Sequence, residues 1–281
     1  IYVLGAGDSV SGVKRWIHVG PFSLQVSEFA KIALILALAK YFGSGKIQGQ
    51  YSFRDLWIPA LLTGIIAWLI AVQPDLGTAI MIFLIFLVFI TAIEIHGVFL
   101  TKLFGTGVFL IPLLWFFLKD YQKRRVMTLF NPEIDPLGAG YHAIQSKIAI
   151  GSGGFGGKGL FMGTQSRLNF LPEKHTDFIF SVLAEETGFI GVIVLLSLYL
   201  FILLKGLSIA FHARDRFSLF LALGIVSSIS FYVLFNIGMT VGLFPITGLP
   251  LPLVSYGGSS LVTNFFALGL LLNIGMRRMV L

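Results

Sequence analysis

Long apolar runs alternate with short polar segments along nearly the whole chain. A helix rises about 1.5 Å per residue, so each run is long enough to cross a hydrocarbon core of about 30 Å. Soluble chains break such runs with polar faces, so the pattern indicates an all-α polytopic membrane protein, with residues 1–281 as a single integral membrane domain. Seven visible transmembrane helices are predicted, at 26–42, 56–72, 76–93, 97–118, 178–204, 217–242 and 259–276.

A polar, glycine-rich segment, 119–177, separates the fourth and fifth predicted helices, and we predict one large loop there. Within it, Tyr141, Ile144 and Ile148 fall on one helical stripe, which predicts an interfacial helix over 137–150. The next nine residues, GSGGFGGKG, contain six glycines, which allow backbone to approach a ligand closely. They match a dinucleotide-binding pattern only as a string, because no strand precedes them.

Two interruptions of the apolar pattern carry local predictions. Only Gln73, Pro74 and Asp75 separate the second and third helices, which predicts a tight hairpin with Asp75 capping the third helix. Three prolines between residues 243 and 260 rule out a continuous helix there. Non-helical backbone at membrane depth must be buried in protein or line a cavity, so this segment is predicted to form a re-entrant wall.

Composition supports the membrane class and narrows the possible partners. The chain is 56% hydrophobic and 12% charged, with mean hydropathy +0.91. Its net charge of +7 is typical of basic flanks that meet anionic lipid heads, and we predict no nucleic-acid partner. The chain has no cysteine, which excludes disulfides and thiolate metal sites.

The distribution of Lys and Arg bears on orientation in the membrane. Short loops and helix ends on one side collect the basic residues, which indicates the cytoplasmic side and places the segment 119–177 outside. If the eight basic residues of that segment are counted, the bias disappears, so the assignment depends on the small weight that the rule gives to long loops.

Ionisable residues inside the predicted helices are candidate functional groups, because each costs at least ~2.5 kcal/mol at a helix centre. Glu28 and Lys31 are three residues apart, so they could pair with each other or face a substrate. Glu185 and Glu186 are adjacent carboxylates that need protonation or a cation. Pairing with Lys or Arg from another helix is the structural alternative for them.

Asp177 lies where the polar segment meets the fifth helix, and helix-capping alone could explain it. Arg167, Glu173, Lys174 and His175 all lie within ten residues of it. A carboxylate with nearby cations suits deprotonation of a hydroxyl while positive groups stabilise a phosphate leaving group. His175 is the alternative base, and the five histidines show no metal-binding spacing.

Five segments together resemble the SEDS family, that of RodA, FtsW and SpoVE, and most closely its elongation branch. Members have ten transmembrane helices, so this chain is expected to lack about the first three. The resembling segments are KRWIHVGPFSLQVSEFAK (14–31), QPDLGTA (73–79), YHAIQSKIAIGSGG (141–154), GTQSRLNFLPEKHTDFIFSVLAEETG (163–188) and PLPLVSYGGSS (250–260).

The resemblance implies a peptidoglycan glycosyltransferase that polymerises lipid II into glycan strands during cell elongation. By motif match, Asp177 is the expected catalytic residue. It would help deprotonate the acceptor sugar for an inverting transfer that releases undecaprenyl pyrophosphate. The expected location is the bacterial cytoplasmic (inner) membrane, with the active site on the extracytoplasmic side. The expected substrate-binding residues are Arg15, Trp16, Glu28, Lys31, Lys147, Arg167, Lys174, Glu185 and Glu186.

The same resemblance implies partners and a possible cofactor. Lipid II and the growing glycan strand are the expected substrates. A class B penicillin-binding protein is the expected transpeptidase partner, with other elongation-complex membrane proteins beside it. A divalent cation, Mg²⁺ or Mn²⁺, is expected at the pyrophosphate, but no ligand set in the sequence identifies its site. The alternative function is a lipid II flippase or transporter, favoured by charged residues within helices and by the interrupted segment 243–260.

Overall fold

The computed structural model describes most of the chain, and the protein forms two compact units. One unit comprises 1–97, 202–231 and 257–281, and the other comprises 98–201 and 232–256. The described residues are 8–10, 13–19, 22–44, 51, 53–93, 105, 115–116, 118–136, 138–168, 170–171 and 173–277.

Helices make up most of the described structure. They are α1 Val26–Gly43, α2 Phe53–Val72, α3 Leu76–Ala92, α4 Asp120–Phe130, α5 Ala139–Ser152, α6 Thr164–Arg167, α7 Ile179–Phe211, α8 Arg216–Val241 and α9 Gly258–Arg277. A short 3₁₀ helix, Pro132–Ile134, lies between α4 and α5. Six of the seven predicted membrane helices are present. Their ends lie within three residues of those predicted, except that α7 extends seven residues further than predicted. The predicted helix 97–118 lies outside the described residues apart from 105, 115, 116 and 118.

Length and composition make α2, α7, α8 and α9 able to cross a membrane. Helix α3 is apolar and one residue shorter than α1, which carries Glu28, Lys31 and Lys40. Large apolar side chains are exposed along α2 and α7, as expected for surfaces that meet lipid. The prediction of an all-α polytopic membrane protein is confirmed.

The first unit begins with a three-stranded antiparallel sheet that the sequence interpretation missed. Strand β1, Asp8–Val10, pairs with β2, Val13–Val19, which pairs with β3, Phe22–Gln25. The signal for this sheet is the β-branched and aromatic content of β2, followed by the turn-forming dipeptide Gly20–Pro21.

Aromatic packing and a helix cap organise the rest of this unit. The rings of Phe42, Phe89 and Phe220 lie 5.9 to 6.0 Å apart and are buried, which joins α1, α3 and α8. At the hairpin between α2 and α3, the Asp75 carboxylate accepts a hydrogen bond from the Thr78 amide at 3.3 Å. The predicted Asp75 cap is therefore confirmed.

The second unit contains most of the polar segment, and α5 packs in it through small residues. Ser146 donates to the Thr240 carbonyl at 2.7 Å, and its oxygen lies 2.7 Å from that of Ser181. Ile144 and Ile148 remain exposed. The helix predicted over 137–150 is present as α5, and its interfacial location stays a prediction.

Helix α7 is broken at Gly188, which has φ 65° and ψ −162°. This position lies about 13.5 Å along the helix from Ile179, at about 1.5 Å per residue. The glycine-rich segment 153–159 supplies hydrogen bonds at the break. The amides of Lys158 and Gly159 donate to the carbonyls of Glu185 and Glu186, both at 3.0 Å.

The other side of the break is paired in the same way. The amides of Phe189 and Ile190 donate to the carbonyls of Gly154 and Phe155, at 3.0 and 3.3 Å. These bonds need two backbones in contact. A Cβ on Gly157 would lie 2.2 Å from the Glu186 carbonyl oxygen. The glycines therefore allow close approach to the backbone of α7. The sequence analysis instead predicts close approach to a ligand.

We predict that Gly157→Ala strongly destabilises the protein. Gly157 has φ +79°, a left-handed conformation that costs an alanine about 1–2 kcal/mol, and the clash with Glu186 adds to that cost. The measurement is the thermal unfolding midpoint of detergent-purified protein.

The matched control is Gly151→Ala, because a Cβ there would meet no described atom within 4 Å and Gly151 is helical. Its stability should be unchanged or raised by up to about 1 kcal/mol. Equal midpoints for the two variants would contradict the docking of the glycine-rich segment into α7.

Candidate functional site

Asp177, the predicted catalytic residue, lies in a tight turn directly before α7 and is half-buried. The amides of Thr176 and Phe178 both donate to the Glu173 carbonyl, at 3.3 and 3.2 Å. The Thr176 hydroxyl also donates to the Glu173 carboxylate at 3.0 Å. The turn is therefore closed by its own hydrogen bonds before any contact with the rest of the unit.

Three successive carbonyls of this turn are also held from outside it. The Tyr256 amide donates to His175 at 2.9 Å, and the Ser255 hydroxyl donates to Thr176 at 2.6 Å. The carbonyl of Asp177 itself accepts from the Asn236 side-chain amide at 3.0 Å. The donors come from α8 and from the segment after it, so both elements position the backbone of Asp177.

The segment 242–257 is not helical, as its prolines predict, and it forms a wall beside the turn. Its shape is held by a bond from the Leu251 amide to Ser255 Oγ at 2.7 Å and by one from Tyr199 to the Pro252 carbonyl at 2.6 Å. Gly248 in this wall is exposed, and a Cβ there would lie 3.3 Å from Asp177 Oδ2. The wall therefore comes close to the carboxylate at a residue that has no side chain.

An open groove of about 380 Å³ lies in the same unit and is rich in arginine. Arg125 donates to the Ile246 carbonyl at 3.2 Å and lies over the Tyr121 ring, 6.0 Å from its centroid. Sequence reasoning missed the arginines of this groove, although the run Lys123–Arg125 was a signal. The groove is lined by Tyr121, Arg124, Arg125, Asp135, Gly138, Ala139, His142 and Ile246.

The groove and the Asp177 turn share a wall of packed side chains. Phe178 is buried, its ring lies 6.1 Å from the ring of His142, and Ile246 packs against the same cluster. Burial lowers the pKa of His142, although Asp135 and Glu173 oppose the shift. The positive charge of the groove at neutral pH therefore comes from its arginines.

Lys147, a predicted substrate-binding residue, joins this basic surface. It is exposed on α5, and a Cβ on Gly242 would lie 2.4 Å from its Nζ. Lys147 and Arg125 both line a smaller cavity against Phe244 and Pro245. The structure therefore brings Lys147, a predicted substrate-binding residue, together with Arg125, which the sequence analysis does not select.

Glu185 is fully buried and pairs with a cation, as one of the predicted alternatives requires. The cation is Lys158, which lies in the glycine-rich segment and not on another membrane helix. The distance from Lys158 Nζ to Glu185 Oε1 is 2.7 Å. The same oxygen accepts from the amides of Thr164 and Gln165, at 2.8 and 3.1 Å. These contacts tie the glycine-rich segment and α6 to α7.

The other predicted residues of this unit lie in different settings. Glu186 is half-buried beside the break in α7, and Arg167 is exposed at the end of α6. Lys174 is half-buried in the turn that contains Asp177. Substrate binding by these residues and by Glu185 stays a prediction.

Four predicted residues belong to the first unit. Lys31 and Glu28 form an ion pair of 2.8 Å with 2% of each side chain exposed, so the expected pairing is confirmed. Thr263 on α9 donates to the same Glu28 oxygen at 3.3 Å. Trp16 is half-buried on β2, and the side chain of Arg15 lies outside the described part of the structure. Their contact with substrate stays a prediction.

The described residues contain no group of three or more His, Asp or Glu side chains that could hold a metal ion. Mg²⁺ is usually bound by one or two carboxylates together with substrate phosphates, so a full protein ligand set is not required for it. The divalent cation therefore stays a prediction, with its ligands open.

Comparison with known proteins identifies the family. The family model for FtsW, RodA and SpoVE, described as "Cell cycle protein", matches residues 1–279. Peptidoglycan glycosyltransferase MrdB of Escherichia coli K12 is 46% identical over 277 residues, which cover 96% of this chain and 73% of the relative.

Two solved structures have the same fold. One, described as "Structural coordination of polymerization and crosslinking by a peptidoglycan synthase complex", gives a TM-score of 0.80 at 34% identity, over 99% of this chain and 77% of that chain. The rod shape determining protein RodA of Thermus thermophilus gives a TM-score of 0.67 at 31% identity, over 99% and 74%. The chain therefore belongs to the FtsW/RodA/SpoVE family of polytopic membrane proteins.

Proposed function

We propose that this chain is a peptidoglycan glycosyltransferase that polymerises lipid II into glycan strands during cell elongation. Support comes from the relative of that name, 46% identical over 96% of this chain. The observation that carries the proposal is the Asp177 carboxylate beside Gly248, on a turn whose carbonyls at 175, 176 and 177 are all hydrogen-bonded.

Asp177 acts as the general base of an inverting transfer. Its carboxylate takes the proton of the acceptor sugar's 4-hydroxyl as that oxygen attacks the anomeric carbon of the lipid-linked donor. The new glycosidic C–O bond forms while the bond from the anomeric carbon to the diphosphate breaks. Undecaprenyl pyrophosphate leaves with the electron pair, and the configuration at the anomeric carbon is inverted.

Cations stabilise the charge that develops on the leaving diphosphate. Lys147 and Arg125 line one cavity, and Arg124 and Arg125 line the adjoining groove. His142 and Ile246, which line the groove, pack against Phe178 or its cluster, and Phe178 directly follows Asp177. The proposal also includes substrate binding by Arg15, Lys31, Arg167 and Lys174.

The membrane setting follows from the same function. The site opens on the extracytoplasmic side of the bacterial cytoplasmic membrane, where the polar segment 119–177 receives lipid II. A class B penicillin-binding protein crosslinks the strands in complex with this chain. This part of the proposal is supported by likeness to a solved synthase complex described as coordinating polymerization and crosslinking.

We predict that Asp177→Asn lowers the polymerisation rate by about 10²–10⁴-fold, because the amide cannot accept the hydroxyl proton. The measurement is glycan strand formation from lipid II by purified protein, followed by gel separation. Glu133→Gln is the matched control, since Glu133 is an exposed carboxylate on the 3₁₀ helix of the same polar segment, and it should polymerise normally.

Polymerisation by Asp177→Asn at the wild-type rate would show that the base is another residue. A flippase would move labelled lipid II between leaflets and leave its length unchanged. Lipid movement without strand formation by the wild-type protein would therefore replace the polymerase with the transporter alternative.

We also predict that chelation of divalent cations by EDTA abolishes polymerisation and that Mg²⁺ or Mn²⁺ restores it. Since the described residues offer no complete protein ligand set, the unfolding midpoint without substrate should not change on chelation. Full activity in excess EDTA would rule out the cation requirement. A lowered midpoint would instead indicate a metal site within the protein.

A further inference from the structure

Asn236 on α8 is fully buried, and its side-chain amide bridges two segments of the second unit. Nδ2 donates to the Asp177 carbonyl at 3.0 Å and to the Leu249 carbonyl at 2.7 Å. Both partners are backbone carbonyl oxygens, which can only accept. The orientation of the amide is therefore fixed by its surroundings, with nitrogen toward both carbonyls.

The oxygen atom of this amide, Oδ1, is in an unfavourable environment. Asn236 Oδ1 is buried and has no hydrogen-bond partner among the residues that the structure describes. A buried carbonyl without a donor is destabilising, and a leucine of similar volume would not carry it. The favourable contribution of this side chain therefore comes from Nδ2, which satisfies two backbone carbonyls, one of them that of Asp177.

We propose that Asn236 is a positioning residue for the Asp177 carboxylate. It fixes the Asp177 peptide against Leu249, beside the Gly248 position whose Cβ would lie 3.3 Å from Asp177 Oδ2. Asn236 acts through Asp177, because it is too buried to touch a substrate. This inference rests on the proposed function, in which Asp177 is the general base.

Removal of Asn236 should free the Asp177 peptide without unfolding the turn. The carbonyls of His175 and Thr176 keep their separate donors, Tyr256 and Ser255, and the turn keeps its bonds to Glu173. A reacting group misplaced by about 1 Å can lose about 10²-fold in rate. The loss should fall on the chemical step and leave the affinity for lipid II unchanged.

The test is Asn236→Leu in the full chain, assayed for polymerisation over a range of lipid II concentrations. We expect kcat to fall by about 10–100-fold while KM stays within about 2-fold of wild type. In an Asp177→Asn background, Asn236→Leu should cause no further loss, because it acts only through the carboxylate that is already removed.

Ser146→Ala is the matched control. It also removes a buried side chain's bonds within the same unit, to Thr240 and Ser181, but it does not touch the Asp177 turn. Its kcat per folded protein should stay within about 2-fold of wild type. Thermal unfolding of each variant measures the folded fraction.

Three results would overturn the inference while wild type polymerises lipid II. They are an unchanged kcat in Asn236→Leu, a loss that matches the loss of folded protein, and a full additional loss in the Asp177→Asn background. A well-folded wild-type protein that makes no strands under any condition would instead reject the proposed function, and this inference with it.

Discussion

Backbone amides and carbonyls inside a bilayer have no water to bind, so every departure from a helix must be paired within the protein. Helix α7 departs at Gly188, and the glycine-rich segment pairs the carbonyls before the break and the amides after it. The segment 242–257 departs from a helix after α8. The hydrogen bond from the Leu251 amide to Ser255 Oγ and the one from the Tyr199 hydroxyl to the Pro252 carbonyl hold its shape. Both departures follow Asp177 in the chain, and the second one donates hydrogen bonds to the Asp177 turn from Ser255 and Tyr256.

The ion pair between half-buried Lys158 and fully buried Glu185 follows from the same constraint. Burial of one carboxylate is unfavourable, and the pair becomes tolerable because Oε1 also accepts from Thr164 and Gln165. Loss of Lys158 would be destabilising, because it would leave the buried Glu185 carboxylate without its cation. The ion pair therefore favours one position of the glycine-rich segment on α7.

Bilayer thickness sets helix length, so the apolar runs alone predicted six described helices close to their ends. Asp75 was predictable because capping is local. Asp177 was selected because a carboxylate among cations at a helix start is a local pattern and because the motif resembles that of the family, and its catalytic role stays a prediction. Asn236, Arg125 and the Lys158–Glu185 pair depend on contacts 27 to 121 residues apart in sequence. No local pattern specifies such contacts. The sheet was missed because β1 and β3 have only three and four residues and because polar residues interrupt the apolar ones in β2.

The hydrogen bonds around Asp177 restrain its backbone. This restraint is relevant to the lipid-linked substrate of the proposed function. In the proposed mechanism, two flexible lipid-linked sugars meet the base in one geometry, and any disorder of the base would lower the fraction of productive encounters. The carbonyls of residues 175 to 177 are all held by hydrogen bonds, and the wall at Gly248 lies close to the Asp177 carboxylate. In the proposed mechanism, the unsatisfied Asn236 Oδ1 is then a stability cost that accompanies the positioning of the general base.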